Sequence, residues 1–370
     1  MTKQEYMEYA IILAQQGRGW TSPNPMVGAV IVKNGVIIGS GYHERCGGLH
    51  AERNALKACT ESPEGADVYV TLEPCCHTGR TPPCTDALIA AKVRRVIIGS
   101  RDPNPKVAGN GAMVLREHGI EVEEDFMREA CDQINPIFFH YITQRMPYVA
   151  IKYAMTADGK IATRTGASQW ITGEPARAHV HSLRHAYRAI LVGSGTLLRD
   201  DPLLNCRMEH GRNPIRVICD ARLRIAPESQ ICRTAGTIET IVATHAPNPE
   251  KKAVLEALGI TVLDIPLLDG SLHLRVLMEA LGQREIDSVL VEGGGAIHGA
   301  ILQAGLAQKI YCYLAPKIFG GTDAKSPIGG LGVAEPGAAV RLSKPELTQF
   351  EDGDLLLAYE VEAENVYGNH

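Results

Sequence analysis

Aromatic side chains are scarce in this chain. It holds two tryptophans and five phenylalanines among 370 residues, and Phe, Trp and Tyr together make up 5%. Stacking successive nucleobases needs such rings, so a single-strand nucleic-acid platform is disfavoured. Excess positive charge is also missing. Lys+Arg number 37 against 42 Asp+Glu, a formal net charge of −5. A net-negative surface does not draw in a polyphosphate backbone. Long apolar runs are lacking too: the longest, such as Val27–Val32, are strand-length, far short of the roughly 18 residues of a membrane span. Met1-Thr-Lys-Gln-Glu-Tyr6 is polar and acidic, unlike a secretory signal. The expectation is a cytoplasmic protein whose ten cysteines are thiols.

The length suits two domains rather than one. A helix is expected over residues 3–16, then a hairpin, Val27–Val32 and Val36–Ser40, turning at Asn34-Gly35. Further expected elements are a helix over His50–Cys59, a strand at Val68–Leu72, and a helix from Thr81 to Ala91 with threonine as N-cap and Pro82-Pro83 in its first turn. A strand at Val93–Ile98, a helix over Gly111–His118, a strand at Ile120–Glu123 and one helix over Phe126–Tyr141 complete the first half. The polar stretch Thr143–Pro147 marks the boundary, giving domains 1–145 and 146–370. The second half alternates again: strands at Tyr148–Met155, Ala189–Val192, Ile215–Cys219, Thr240–Thr244 and Ser288–Glu292, with helices over Pro175–His185, Lys251–Leu258, Leu272–Leu281 and 296–304. Strands Lys309–Pro316 and Asp354–Val361 follow, and Gly320–Gly337 reads as a long loop. Alternation of this kind implies α/β domains with mostly parallel sheets covered on both faces.

Chemistry concentrates in two places. His50-Ala51-Glu52 opens a helix, and Pro74-Cys75-Cys76-His77 precedes Cys84 at the start of another. His50, Cys75 and Cys84 supply one nitrogen and two sulfurs, the three protein ligands of a catalytic zinc with an open position. Cys76 or His77 as a fourth ligand would make the site structural instead. A first-turn position favours the Cys84 thiolate. Glu52, beside the metal at the helix start, can shuttle a proton to a leaving amine. In the second half, Val289–Val291 runs into Glu292-Gly-Gly-Gly295. Such a strand-to-helix turn can cradle phosphates, but it is not the dinucleotide fingerprint of a Rossmann domain.

H-x-E with P-C and a further cysteine resembles the zinc nucleoside-deaminase signature, except that eight residues separate Cys75 from Cys84 where that signature has two. The insert, with Pro23–Gly28, Gly41-Tyr42-His43 and Asp102–Gly109, is similar to the bifunctional deaminase/reductases of riboflavin biosynthesis. The resemblance extends over the second half through Pro147–Lys152, Asp158–Ala162, Ser168–Thr172, Gly193–Pro202 and Val291–Gly294. It implies a cytidine-deaminase-like α/β/α domain, then a dihydrofolate-reductase-like α/β domain using NADPH. The implied substrate is a small phosphoribosyl pyrimidine, deaminated with zinc and then reduced from ribosyl to ribityl. It further implies a homo-oligomer, dimer or tetramer.

Carried over residue by residue, Asn24, His43, Arg80, Asp102 and Asn104 would line the deaminase pocket, although Asn24 and Asp102 also suit plain turns. Ala154, Trp170, Thr196, Asp200, Ala221 and the run Gly294, Gly295, Ala296, Ile297, His298, Gly299, Ala300 would touch NADPH. Ser168, Arg184, Leu204, Arg207 and Glu292 would touch the substrate, with Arg184 and Arg207 gripping its phosphate. Lys152 and Asp200 are candidates to protonate the opened sugar; a surface ion pair is the plainer alternative, as core packing is for Trp170. Arg222 and Arg224 could read a 2′-phosphate or be solvated.

Overall fold

The computed structural model describes residues 1–77, 82–104 and 108–362. The chain divides into two compact units, Met1–Arg145 and Met146–His370.

The first unit runs α1 (Lys3–Gln15), β1 (Gly28–Lys33), β2 (Val36–Tyr42), α2 (Ala51–Lys57), β3 (Asp67–Leu72), α3 (Cys84–Ala90), β4 (Arg95–Ser100), α4 (Asn110–Glu117), β5 (Glu121–Glu123), α5 (Arg128–Asp132) and α6 (Pro136–Gln144). Thr2 and Glu5 close a reciprocal capping box at the start of α1. Asn34 and Gly35, both left-handed, make the β1–β2 turn. The sheet order is β2-β1-β3-β4-β5. β1 pairs antiparallel with both β2 and β3, whereas β3, β4 and β5 run parallel. This sheet is therefore mixed, not mostly parallel, because a short hairpin supplies its edge. Alternate residues sort to its two faces. Ala29, Ile31, Val68, Val70, Val96 and Ile98 pack against α2, α3, α4 and α6, and Val30, Val32, Tyr69 and Ile97 against α1 and Cys131 of α5. Period-two strands buried on both sides give three layers.

Two expectations need correction. The single helix over 126–141 is two, because Pro136 cannot extend a preceding helix and instead starts α6 with Asn135 as its N-cap. The helix expected to begin at Thr81 begins at Cys84 with Pro83 as its N-cap; Thr81 lies outside the described residues.

The second unit runs β6 (Tyr148–Thr156), α7 (Glu174–Ala186), β7 (Ala189–Gly193), α8 (Ser194–Asp200), β8 (Ile215–Cys219), α9 (Gln230–Arg233), β9 (Thr240–Thr244), α10 (Pro249–Ala257), β10 (Ile260–Asp264), the small hairpin β11 (Leu267–Leu268) and β12 (Ser271–Leu272), α11 (Leu274–Gly282), β13 (Ser288–Val291), α12 (Gly295–Gln303), β14 (Ala307–Ala315), β15 (Glu346–Gln349) and β16 (Leu355–Glu360). Its sheet order is β10-β9-β8-β7-β13-β6-β14-β16-β15. All pairings from β10 to β14 are parallel, and β16 and β15 add an antiparallel edge. β13 enters between β6 and β7, so the chain changes direction there. In open α/β sheets a ligand crevice forms at the carboxyl ends of strands beside such a switch.

Candidate functional sites

In the first unit the loops after β3 and before α3 bring Cys75 and Cys84 to His50, the N-cap of α2. His50 Nδ1 lies 3.5 Å from Cys75 Sγ and 3.4 Å from Cys84 Sγ. All three donor atoms fall within 4.8 Å of one another, and among the described residues only this His/Cys/Asp/Glu group gathers so. Neither Cys76 nor His77 joins it. The Cys84 N–H donates to Cys75 O at 3.0 Å and reaches Cys75 Sγ at 3.4 Å, tying the second sulfur to the first. The hydrogen bond between the two thiols lowers Cys75 and raises Cys84, so without a metal Cys84 is the proton donor of the pair and the thiolate expected there does not form; a bound metal requires both as thiolates. One imidazole and two sulfurs fit zinc with one position left over.

Glu52 is 3% exposed and hydrogen-bonds Cys84. Burial raises its carboxyl above the ordinary value, as befits a group that must hold and release a proton. His50 and Glu52 both reach Cys84, His50 being still extended, with φ −74° and ψ 164°.

His43 uses both ring nitrogens within the protein. Nδ1 donates to Leu49 O at 3.0 Å, and Nε2 accepts from Asn24 Nδ2 at 3.2 Å. Burial lowers its pKa and keeps it neutral. Its imidazole stands edge-on to that of His50, 5.2 Å between centroids. His43 thus orients Asn24 rather than presenting a nitrogen to a ligand. Asp102 is buried, and burial pushes its carboxyl up to about 6; its Oδ1 accepts from Asn104 N at 2.8 Å. Arg80 lies outside the described residues.

In the second unit, Ala154, Thr196, Ala221 and Gly294 fall at or near the carboxyl ends of β6, β7, β8 and β13, along one edge of the sheet. A Cβ on Gly294 or Gly195 would meet nothing within 4 Å, so at these two positions the starts of α12 and α8 are not packed against another segment. Gly295 and Gly299 serve packing instead. A Cβ on Gly299 would lie 2.0 Å from Gly329 O, and one on Gly295 2.9 Å from Ser326 O. They let the 326–329 segment lie against α12. His298 is likewise turned inward, 1% exposed, with Nδ1 donating to Pro327 O at 2.9 Å. Only the start of the expected 294–300 cradle is therefore open.

Glu292, just past β13, receives both prongs of Arg184 from α7, at 2.7 and 3.0 Å, and Lys152 of β6 stands 3.9 Å away. Arg184 also donates to Asn205 O at 2.9 Å. Arg184, expected to grip a phosphate, lies in this buried pairing; Arg207 remains exposed, with its backbone N–H given to His181. Burial lowers the Lys152 pKa, with Glu292 opposing. Burial pulls Glu292 upward, but Arg184 and then Lys152 outweigh it and hold the carboxyl below its ordinary value. The surface Lys152–Asp200 pair is not formed: Lys152 is turned to Glu292, and Asp200 is exposed at the end of α8. The Leu204 side chain is buried in the core with Ile190 and Ile218. Trp170 is not core: it is 60% exposed, with the Arg177 guanidinium 4.8 Å over its ring. Ser168 is half-buried in the same loop. Arg224 donates to Ser194 Oγ and pairs with the buried Asp220, so it is anchored beside the start of α8; Arg222 is exposed.

Fold and sites define a cytidine-deaminase-like zinc domain followed by a nucleotide-dependent reductase. The model for the RibD C-terminal domain matches residues 147–356, and that for the cytidine and deoxycytidylate deaminase zinc-binding region matches residues 1–100. The chain is 51% identical to the riboflavin biosynthesis protein RibD of Actinobacillus pleuropneumoniae, over 98% of this chain and 96% of that one. It is 43% identical to the Escherichia coli K12 RibD, over 86% and 89%. Among solved structures it is similar to the diaminohydroxyphosphoribosylaminopyrimidine deaminase/5-amino-6-(5-phosphoribosylamino)uracil reductase of Thermotoga maritima, with TM-score 0.84, 38% identity, and 97% and 98% of the chains covered. Acinetobacter baumannii RibD gives TM-score 0.87 at 36% identity, with the same coverage. The chain belongs to the RibD family of riboflavin biosynthesis proteins. It is a bifunctional enzyme, a deaminase with zinc and a reductase with NADPH.

Proposed function

We propose that residues 1–145 deaminate 2,5-diamino-6-(5-phosphoribosylamino)pyrimidin-4(3H)-one, and that residues 146–370 reduce the product to 5-amino-6-(5-phosphoribitylamino)uracil. The observation that carries the reading is the meeting of His50, Cys75 and Cys84 beside the buried Glu52. Those three residues would hold the zinc, which would supply the Lewis acidity that makes water a nucleophile near neutral pH. Glu52 takes a proton from the attacking water and delivers it to the 2-amino nitrogen, which leaves as ammonia; the water oxygen stays on the ring carbon and its other proton ends on the ring nitrogen. Asn24, steadied by His43, and the Asp102–Asn104 turn hold the pyrimidine edge.

In the reductase, bound NADPH would supply the hydride that C1′ of the opened sugar needs. The starts of α8 and α12 would hold its phosphates, with Thr196, Asp200, Ala221 and Ala154 along the same edge, and exposed Trp170 would offer an aromatic face. Lys152 gives the accompanying proton from Nζ; a buried ammonium releases it more readily than an exposed one. Glu292, itself fixed by Arg184, holds Lys152 in place, and Arg207 takes the substrate phosphate.

Among the described residues no helix is long and apolar enough to cross a membrane, and all ten cysteines are free. Both features suit a cytoplasmic enzyme, working as a homo-oligomer of two or four copies. The test combines metal analysis with ammonia release and NADPH oxidation on the phosphoribosyl pyrimidine. Zinc-bearing protein should release ammonia and oxidise NADPH in equal amounts. Ammonia release from metal-free protein, or NADPH oxidation without the pyrimidine, would overturn the assignment.

A further inference from the structure

We propose that Glu73 is a positioning residue of the deaminase, fixing the loop that carries Asp102 and Asn104 and thereby setting substrate affinity. The proposal rests on the reading of Asp102 and Asn104 as substrate contacts.

β3 and β4 are parallel neighbours, so the loops that leave their carboxyl ends emerge on the same edge of the sheet. The first loop is Glu73-Pro74-Cys75; the second runs from Arg101 to the start of α4. Glu73 is 5% exposed and points from the first loop into the second. Its Oε2 accepts from Gly109 N at 3.0 Å and, at the longer distance of 3.5 Å, from Asp102 N; its Oε1 accepts from Ala112 N at 3.2 Å. One carboxylate thus holds both ends of the segment between Asp102 and Gly109.

The α4 end explains why an acid is used. Gly109 is the N-cap of α4 and has no side chain to cap it. In an ordinary capping box one side chain takes the N3 amide and another returns to the N-cap amide. Here Glu73 takes both, Ala112 being N3 and Gly109 the N-cap, from a different loop. A negative charge is favoured at that end of a helix. The fit is close: a Cβ on Gly111 would stand 2.1 Å from Pro74 O and 3.2 Å from Glu73 Oε1. At the other end, Asp102 folds its own carboxylate onto Asn104 N. Glu73 is therefore one step from the residues proposed to hold the pyrimidine, and on the opposite side of Pro74 from the metal donor Cys75. Its geometry ties affinity to the loop rather than to the metal.

The test is steady-state kinetics of the full-length zinc enzyme with Glu73→Gln, Asn104→Ala and the double variant. An amide offers one acceptor oxygen and turns its own NH2 toward backbone donors. Glu73→Gln should raise the deaminase KM about tenfold, the scale of one lost charged hydrogen bond, with a smaller fall in kcat. Zinc content and reductase kinetics should stay at wild-type levels. The double variant should raise KM no further than the worse single one, as expected for groups acting through one element. An unchanged KM in Glu73→Gln, or additive effects in the double variant, would overturn the proposal. If Glu73→Gln folds poorly, Glu73→Asp keeps the charge on a shorter stem and must still show a defect weighted toward KM; loss of zinc or of kcat alone would overturn the proposal. If Asn104→Ala leaves KM unchanged while Glu73→Gln raises it, the reading of Asn104 fails and that of Glu73 must pass through Asp102 alone, so Asp102→Asn must then raise KM; an unchanged KM there overturns both.

Discussion

The two units assemble their chemistry by different routes. The deaminase draws its metal donors from a short span, His50 to Cys84, each set at a strand end or helix start where backbone geometry alone brings it inward. The reductase joins Arg184 to Glu292 across 108 residues, and the edge proposed for its cofactor collects the ends of four parallel strands. A site made of chain-local motifs depends on its ligands. One made of distant elements depends on the packing that brings them together.

The sharpest contrast comes from Glu52→Gln. Deamination should fall by about 10²- to 10⁴-fold, the range for losing a general acid–base, with zinc content and NADPH oxidation on supplied deaminated substrate intact. Ammonia release at the wild-type rate would break the assignment. Next, Glu292→Ala leaves the Arg184 charge buried without its partner. The reductase unit should lose about 3 kcal/mol in urea unfolding, while the deaminase keeps its activity. Equal losses in both activities would show the units to be less independent than their separate cores suggest.

Gly299 and Gly294 divide the expected cradle. Gly299→Ala sets a methyl against Gly329 O and should cost about 1–3 kcal/mol by thermal melting. Gly294→Ala meets open space, so it should leave the melting temperature unchanged and raise the KM for NADPH instead. A reversal of the two outcomes would mean that α12 is used differently.

The smallest effect is in pH. Glu292 sits below its ordinary value of 4.5 in the folded state, so the stability it contributes is present above that value and lost as pH falls through its lower native pKa. Melting of the reductase unit should steepen its decline below about pH 4.5, and Glu292→Gln should flatten it.

Much of this was legible in the sequence because it is local. The hairpin turns where Asn34-Gly35 stands, and His50-x-Glu52, Pro74-Cys75 and Cys84 are local motifs whose donors a strand end and two helix starts gather. Where a site residue is placed otherwise than expected, a contact distant in sequence decides the outcome. Nothing near Arg184 announces Glu292, so a phosphate grip looked as reasonable as a buried ion pair. Leu203 and Leu204 look alike in sequence, yet it is the Leu204 side chain that joins the core. The glycines of 294–300 look alike in sequence, but Gly299 serves the packing of Gly329. Pro136 was a legible warning that the helix over 126–141 had to break. Glu73 carried a faint signal, an acid immediately before Pro74-Cys75, but its three amide donors lie 29, 36 and 39 residues on, in a loop and the first turn of α4.

X-ray absorption at the zinc edge of the full-length enzyme reads the central claim directly. The account predicts two sulfur scatterers near 2.3 Å and nitrogen or oxygen near 2.0–2.1 Å for the remainder, with Cys84→Ser removing one sulfur. A third sulfur from Cys76, or a shell with no sulfur, would contradict it.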